Sequence, residues 1–163
     1  MTIEWDARIR ALWDDDGLSD DERIACIDAL AAERPDDDAR ALFERAGARD
    51  SAGLEAEAEP LYRRALDGGL DDDHRTQAVI QLGSTLRNLG RADEAVRMLR
   101  SEYDRGAETP LHDATAAFYA LALVSAGDAV AAASVALKSL APHLPRYSRS
   151  VAGYADELVG DAG

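Results

Sequence analysis

Gly53, Gly90 and Gly127 recur at intervals of 37 residues, each between two stretches of helix-forming sequence. Two further series keep the same period. Ala58, Ala95 and Ala132 follow the glycines by five residues, and Ala46, Gly83 and Ala120 precede them by seven. Antiparallel helix pairs need small residues where their backbones approach and glycine at the tight turn between them. A repeat of this length signals a stacked solenoid, in which no pair buries its apolar face until a neighbour covers it. Composition agrees: alanine supplies 33 residues against 17 for isoleucine, valine and threonine together, which favours helices over strands.

Local signals place the helices. Thr2 can cap a first helix to about Trp13, and Ser19-Asp20-Asp21-Glu22 is a capping box for a second running to about Glu33. After Pro35 the first repeat predicts helices over 37–50 and 54–67, ended by Gly68-Gly69. The second predicts 72–89 and 92–105. Thr109 as N-cap, with Pro110 at the first helical position, opens the third, and Pro142 and Pro145 end it before a last helix over 146–159. The expected organisation is an acidic helical pair over 1–36, three repeats over 37–70, 71–108 and 109–143, and a capping helix with tail over 144–163.

The ends of such an array must be covered. Trp5, Ile9, Leu12 and Trp13 share one helical face, which either caps the array through Ile24, Ile27 and Leu30 or offers an aromatic docking surface. At the other end Tyr147, Val151, Tyr154 and Leu158 recur at helical spacing and are expected to cover the third repeat. Between Ala114 and Leu137 the only charge is Asp128, but the Ala126-Gly127-Asp128 turn divides this stretch into halves too short to span a bilayer.

Charge narrows the partners. With 18 basic and 32 acidic residues the chain carries −14, of which −9 lies in the first 38 residues. Nucleic acid and anionic membranes are disfavoured as partners. Asp14 to Asp16, Asp36 to Asp38 and Asp71 to Asp73 fall where helices begin or turn, and read as caps. Cys26 alone cannot make an internal disulfide, no secretory signal is visible, and a cytoplasmic location is the expectation.

The segments Val79-Ile80-Gln81-Leu82-Gly83-Ser84-Thr85-Leu86 and Asn88-Leu89-Gly90-Arg91-Ala92-Asp93-Glu94-Ala95 resemble a tetratricopeptide repeat, with Leu82-Gly83 as its Leu-Gly pair and Gly90 as its turn. Gly53, Ala58, Tyr62 and Ala65 match in the first copy, although Arg45 and Arg49 stand at positions expected to be apolar. Ala120, Leu123, Gly127 and Ala132 match in the third. The wording around Leu61-Tyr62-Arg63-Arg64-Ala65-Leu66 also looks like a small bacterial subgroup. The resemblance covers about residues 39–141 and implies an all-α, right-handed superhelical solenoid with terminal capping helices. It also implies a non-enzymatic interaction module whose first helices line a concave surface for a peptide or partner domain.

Carried over by register, the groove side of the second repeat is Gln77, Ile80, Gln81, Ser84, Arg87 and Asn88. The first contributes Arg40, Phe43 and Gly47, and the third Ala117, Phe118, Leu121 and Val124. Glutamines can then pair with a peptide backbone and an arginine with a carboxylate. The family's lysine and asparagine clamp for acidic carboxyl termini is not reproduced. Two alternatives stay open: a homodimer formed through the apolar third repeat or the terminal aromatic faces, and an enzyme or small-molecule binder on the same scaffold. No metal, phosphate-loop or nucleophile-elbow motif orders His74, His112, His143 or the carboxylates, so no cofactor and no catalytic residue is expected.

Overall fold

The computed structural model describes residues 2–160, and the side chains of Thr2 and Ile3, including the expected Thr2 cap, lie outside the described residues. Among the described residues all regular structure is helical: α1 (Thr2–Trp13), α2 (Asp20–Ala31), α3 (Ala39–Ser51), α4 (Glu55–Asp67), α5 (Asp72–Asn88), α6 (Ala92–Tyr103), α7 (His112–Ser125), α8 (Ala129–Leu140) and α9 (Ser148–Gly160), with a short 3-10 turn over Ala141–His143. Each helix packs on its successor from α1·α2 to α8·α9, and the 3-10 turn packs on both α8 and α9. The additional contacts α3·α5 and α5·α7 align the first helices of successive pairs on one side. This is an all-α helical repeat solenoid.

The 37-residue period is visible in the backbone itself. Gly53, Gly90 and Gly127 all take positive φ, 73°, 77° and 90°. After each, the next residue's N–H reaches back across the helix end, Leu54 to Arg49, Arg91 to Leu86 and Asp128 to Leu123, at 2.8–2.9 Å. That bond satisfies a carbonyl the helix end would otherwise leave free, and the left-handed turn that permits it is open to glycine without strain. The small residues at Ala46, Ala58, Ala95, Ala120 and Ala132 are buried where the paired helices meet.

Caps follow the acidic clusters in two of three cases. Asp38 accepts from Ala41 N at 2.8 Å and Asp71 from His74 N at 3.0 Å, opening α3 and α5. Asp15 instead accepts from Gly17 N within the α1–α2 turn, and α2 is opened by the Ser19–Glu22 capping box.

Two apolar clusters share α3. One face, with Leu42, Phe43 and Ala46, joins the main core that runs on through Tyr62, Leu82, Leu99 and Leu123. The other, Ala41 and Ala48, packs with Trp5, Ile9, Ile27 and Leu30. The arginines that break the repeat pattern are explained here. Arg45 Nε and Arg49 both bond the carboxylate of Asp28 on α2, at 2.9 and 2.8 Å, so these positions face a polar partner instead of an apolar one.

The structure corrects two expectations. Thr109 and Pro110 do not open α7: the Thr109 hydroxyl donates back to Gly106 O at 2.6 Å, and the helix is entered through Leu111, which has φ 55°. Nor does the stripe of Tyr147, Val151, Tyr154 and Leu158 cover the third pair as expected: of the four only Val151 is half-buried. Tyr147, Tyr154 and Leu158 are 74%, 65% and 42% exposed, whereas Ala155 is fully buried and its carbonyl accepts from Ser134 Oγ at 2.7 Å. The alanine-rich α8 lets α9 approach closely through small residues, which turns the bulky ones outward.

Candidate functional site

On α5, Gln77, Gln81, Ser84 and Asn88 follow one another at i, i+4, i+7 and i+11, a stripe on one helical face. On α3, Arg40, Phe43, Glu44, Gly47, Asp50 and Ser51 form the matching stripe. Together with Trp13 of α1, Tyr62 of α4 and His74 they enclose a groove of about 570 Å³. The α3·α5 alignment brings the two stripes side by side, and α1 closes one end.

The polar groups of this groove are unevenly satisfied. Glu44 is buried, accepts from Trp13 Nε1 at 2.6 Å and is bonded by Arg40. Arg40 also lies over the rings of Trp5 and Phe43, at 5.7 and 5.5 Å from their centroids, and burial holds its guanidinium below the ordinary arginine range. His74 is spoken for by Asp71, with Nδ1 at 2.6 Å, and meets Phe43 edge-on. Among the described residues the Asp50 carboxylate accepts only from hydroxyls, Tyr62 Oη at 3.2 Å and Thr85 Oγ1 at 3.0 Å. Burial raises the Asp50 carboxyl above the ordinary aspartate range, against the lowering effect of those two bonds. Burial, and then the Asp50 charge, push the Tyr62 phenol up as well.

Arg40, Phe43, Gly47, Gln77, Gln81, Ser84 and Asn88 of the sequence-derived set therefore come together. Ile80 is buried, off this groove, and Arg87 is half-buried with its Nε unpartnered. Phe118 packs against the main core, and Leu121 is exposed on α7, so neither lines the groove. Trp13, Glu44, Asp50, Ser51, Tyr62 and His74 join it without having been singled out for it. Glu44 and Asp50 stand four and ten residues after Arg40, in helical register with it, and that spacing was the available signal.

A family model described as tetratrico peptide repeat matches residues 39–158. The chain belongs to the tetratricopeptide repeat family. TPR domains are in general interaction scaffolds without catalytic activity, which marks this chain as a protein-interaction module. No curated protein matches the chain. No solved structure matches it either. Among the described residues no helix is long and apolar enough to cross a membrane, and no group of three or more His, Cys, Asp or Glu side chains is placed to hold a metal ion.

Proposed function

We propose that this TPR chain is a non-enzymatic adaptor that holds a peptide segment of a partner protein in the groove between α3 and α5. The observation that carries this reading is the convergence of Gln77, Gln81 and Asn88 with Phe43, Trp13 and Tyr62 on one cavity. Side-chain amides can bond a peptide backbone in both senses, while aromatic walls take up apolar surface. The helical pair α1–α2 serves in this reading as the cap of the array, with Trp13 lent to the groove.

Gly47 tests it. The Cβ it lacks would stand 3.4 Å from Trp13 Cζ2 and 3.9 Å from Tyr62 Oη, so a larger side chain there enters the groove. Gly47→Leu is expected to abolish capture of cellulose-bound synthetic peptides while the melting temperature is maintained, since leucine is the better helix former. Undiminished capture by this variant contradicts the proposal.

A second reading, self-association, is supported by the exposed apolar surface of the last three helices. Leu121, Val124, Val130, Tyr154 and Leu158 are all exposed. Exposed apolar residues on successive helices can supply an interface between copies.

A further inference from the structure

We propose that the groove selects a basic side chain, with Asp50 as its counter-ion, so that the partner segment presents an arginine or lysine beside Trp13 and Phe43. This deepens the reading of the groove as a peptide site and rests on it.

Two hydroxyl protons serve the cluster around Asp50. The Tyr62 hydroxyl has one proton and two acceptors in reach, Asp50 Oδ2 at 3.2 Å and Gln81 Oε1 at 2.7 Å. The Thr85 hydroxyl has one proton for Asp50 Oδ1 at 3.0 Å and the main-chain carbonyl of Gln81 at 2.9 Å. The Gln81 carbonyl already accepts the Thr85 N–H within α5, so three acceptor atoms, the two Asp50 oxygens and Gln81 Oε1, look to two hydroxyl protons. Turning the Gln81 amide, so that its NH2 donates to Tyr62, leaves both hydroxyl protons to Asp50. Either way Asp50 is met by two neutral hydroxyls and by no charged donor, so its charge is hydrogen-bonded but not neutralised. A guanidinium or ammonium group brings several donors and no acceptor.

The charges agree. Arg40 is neutralised by Glu44, and His74 is engaged by Asp71. Among the described residues no basic side chain pairs with Asp50, and no cation figures among the influences on its carboxyl group. The groove is left with one uncompensated negative charge, which attracts a cation and repels a carboxylate. This reverses the sign expected of an arginine-centred groove, because Arg87 lies off the cavity and Arg40 is already occupied. Aromatic walls suit the methylene stem of arginine or lysine and favour its charged head when close to a ring face. The net charge of −14 steers such a segment inward from a distance.

The test uses the full chain on short cellulose-bound peptides of random sequence with one fixed central residue: arginine, lysine, glutamine or glutamate. Solution affinities of the best arginine peptide and its glutamine counterpart follow by fluorescence anisotropy. The arginine and lysine sets are expected to be retained most strongly, and Asp50→Asn to weaken the arginine peptide roughly tenfold or more, down to the level of its glutamine counterpart. Asp93→Asn removes the same charge from an exposed position outside the groove and is expected to leave that preference intact, which separates pairing at Asp50 from general attraction to an acidic protein. Binding that is lost in Gly47→Leu but shows no preference for basic residues, or a preference that survives Asp50→Asn in a folded variant, overturns the inference and leaves the peptide groove standing. Absence of any capture, or capture indifferent to Gly47→Leu, overturns both.

Discussion

Gly83 on α5 faces Leu99 on α6 with no room for a side chain: the Cβ it lacks would stand 2.7 Å from both Cγ and Cδ1 of Leu99. Leu99 is itself buried in the main core, so the clash cannot be relieved by swinging it into solvent. Alanine at 83 gains about 1 kcal/mol of helix propensity and loses about 1–3 kcal/mol to overpacking. Gly83→Ala is expected to lower stability by roughly 1 kcal/mol, seen as a reduced urea midpoint at unchanged slope. In a double-mutant cycle Gly83→Ala with Leu99→Ala should cost less than the sum of the single changes, because the methyl group then occupies part of the space that leucine vacates.

Asp50→Asn carries a prediction opposite to that for an ordinary buried polar residue. Burial raises the folded-state value of this carboxyl above the usual 3.8, so its charged form weighs against folding. That penalty is present in full above the folded value and fades as pH falls toward 3.8. Asparagine removes the charge, keeps one oxygen to accept from a hydroxyl, and can donate its NH2 to the other hydroxyl. Thermal melts at neutral pH should show the variant at least as stable as the parent, with the gap closing in acid. A marked loss of stability at neutral pH contradicts this account of the cluster.

Glu102 behaves in the reverse sense. It is buried, yet bonds from Arg75, Arg105 at 2.7 Å and Thr76 at 2.9 Å outweigh burial and hold its carboxyl below the ordinary glutamate value of 4.5. A lowered folded value contributes stability that is present above 4.5 and is lost as pH falls through the folded value. Glu102→Gln should cost about 2 kcal/mol at neutral pH, less than a fully buried pair because both arginines are partly solvated. The difference from the parent should shrink below pH 4.5, as chemical denaturation across pH can check.

The outward apolar residues of α9 lead to a statement about assembly. Light scattering over a wide concentration range should detect a dimer, and Tyr154→Glu combined with Leu158→Glu should return it to a monomer. A parent chain that stays monomeric throughout removes the self-association reading.

Most of the fold was legible because the repeat is written at positions where only small residues or glycine fit, and Gly53, Gly90 and Gly127 adopt the backbone that their spacing implied. The errors lie where context overrides local preference. Thr109-Pro110 has the chemistry of a helix start, but the Thr109 hydroxyl is drawn back to Gly106. The stripe of Tyr147, Val151, Tyr154 and Leu158 has helical spacing, but Ser134 and Ala155 bring α9 close to α8, and of the four only Val151 is half-buried. In the groove, register placed the α5 amides, because helical spacing alone decides which of them share a face. It could not identify Trp13 or Tyr62, which arrive from α1 and α4 and not from the two facing helices, nor show that among the described residues Asp50 lacks a cation, which depends on every neighbour at once.

The central claim, that the cavity between α3 and α5 receives a peptide, is tested most directly by mapping amide chemical-shift changes as the strongest arginine peptide is added to the isotope-labelled chain. The account predicts saturable changes concentrated at Phe43, Gly47, Asp50, Gln77, Gln81 and Ser84. Changes confined to α7, α8 and α9, with those six amides unmoved, would contradict it.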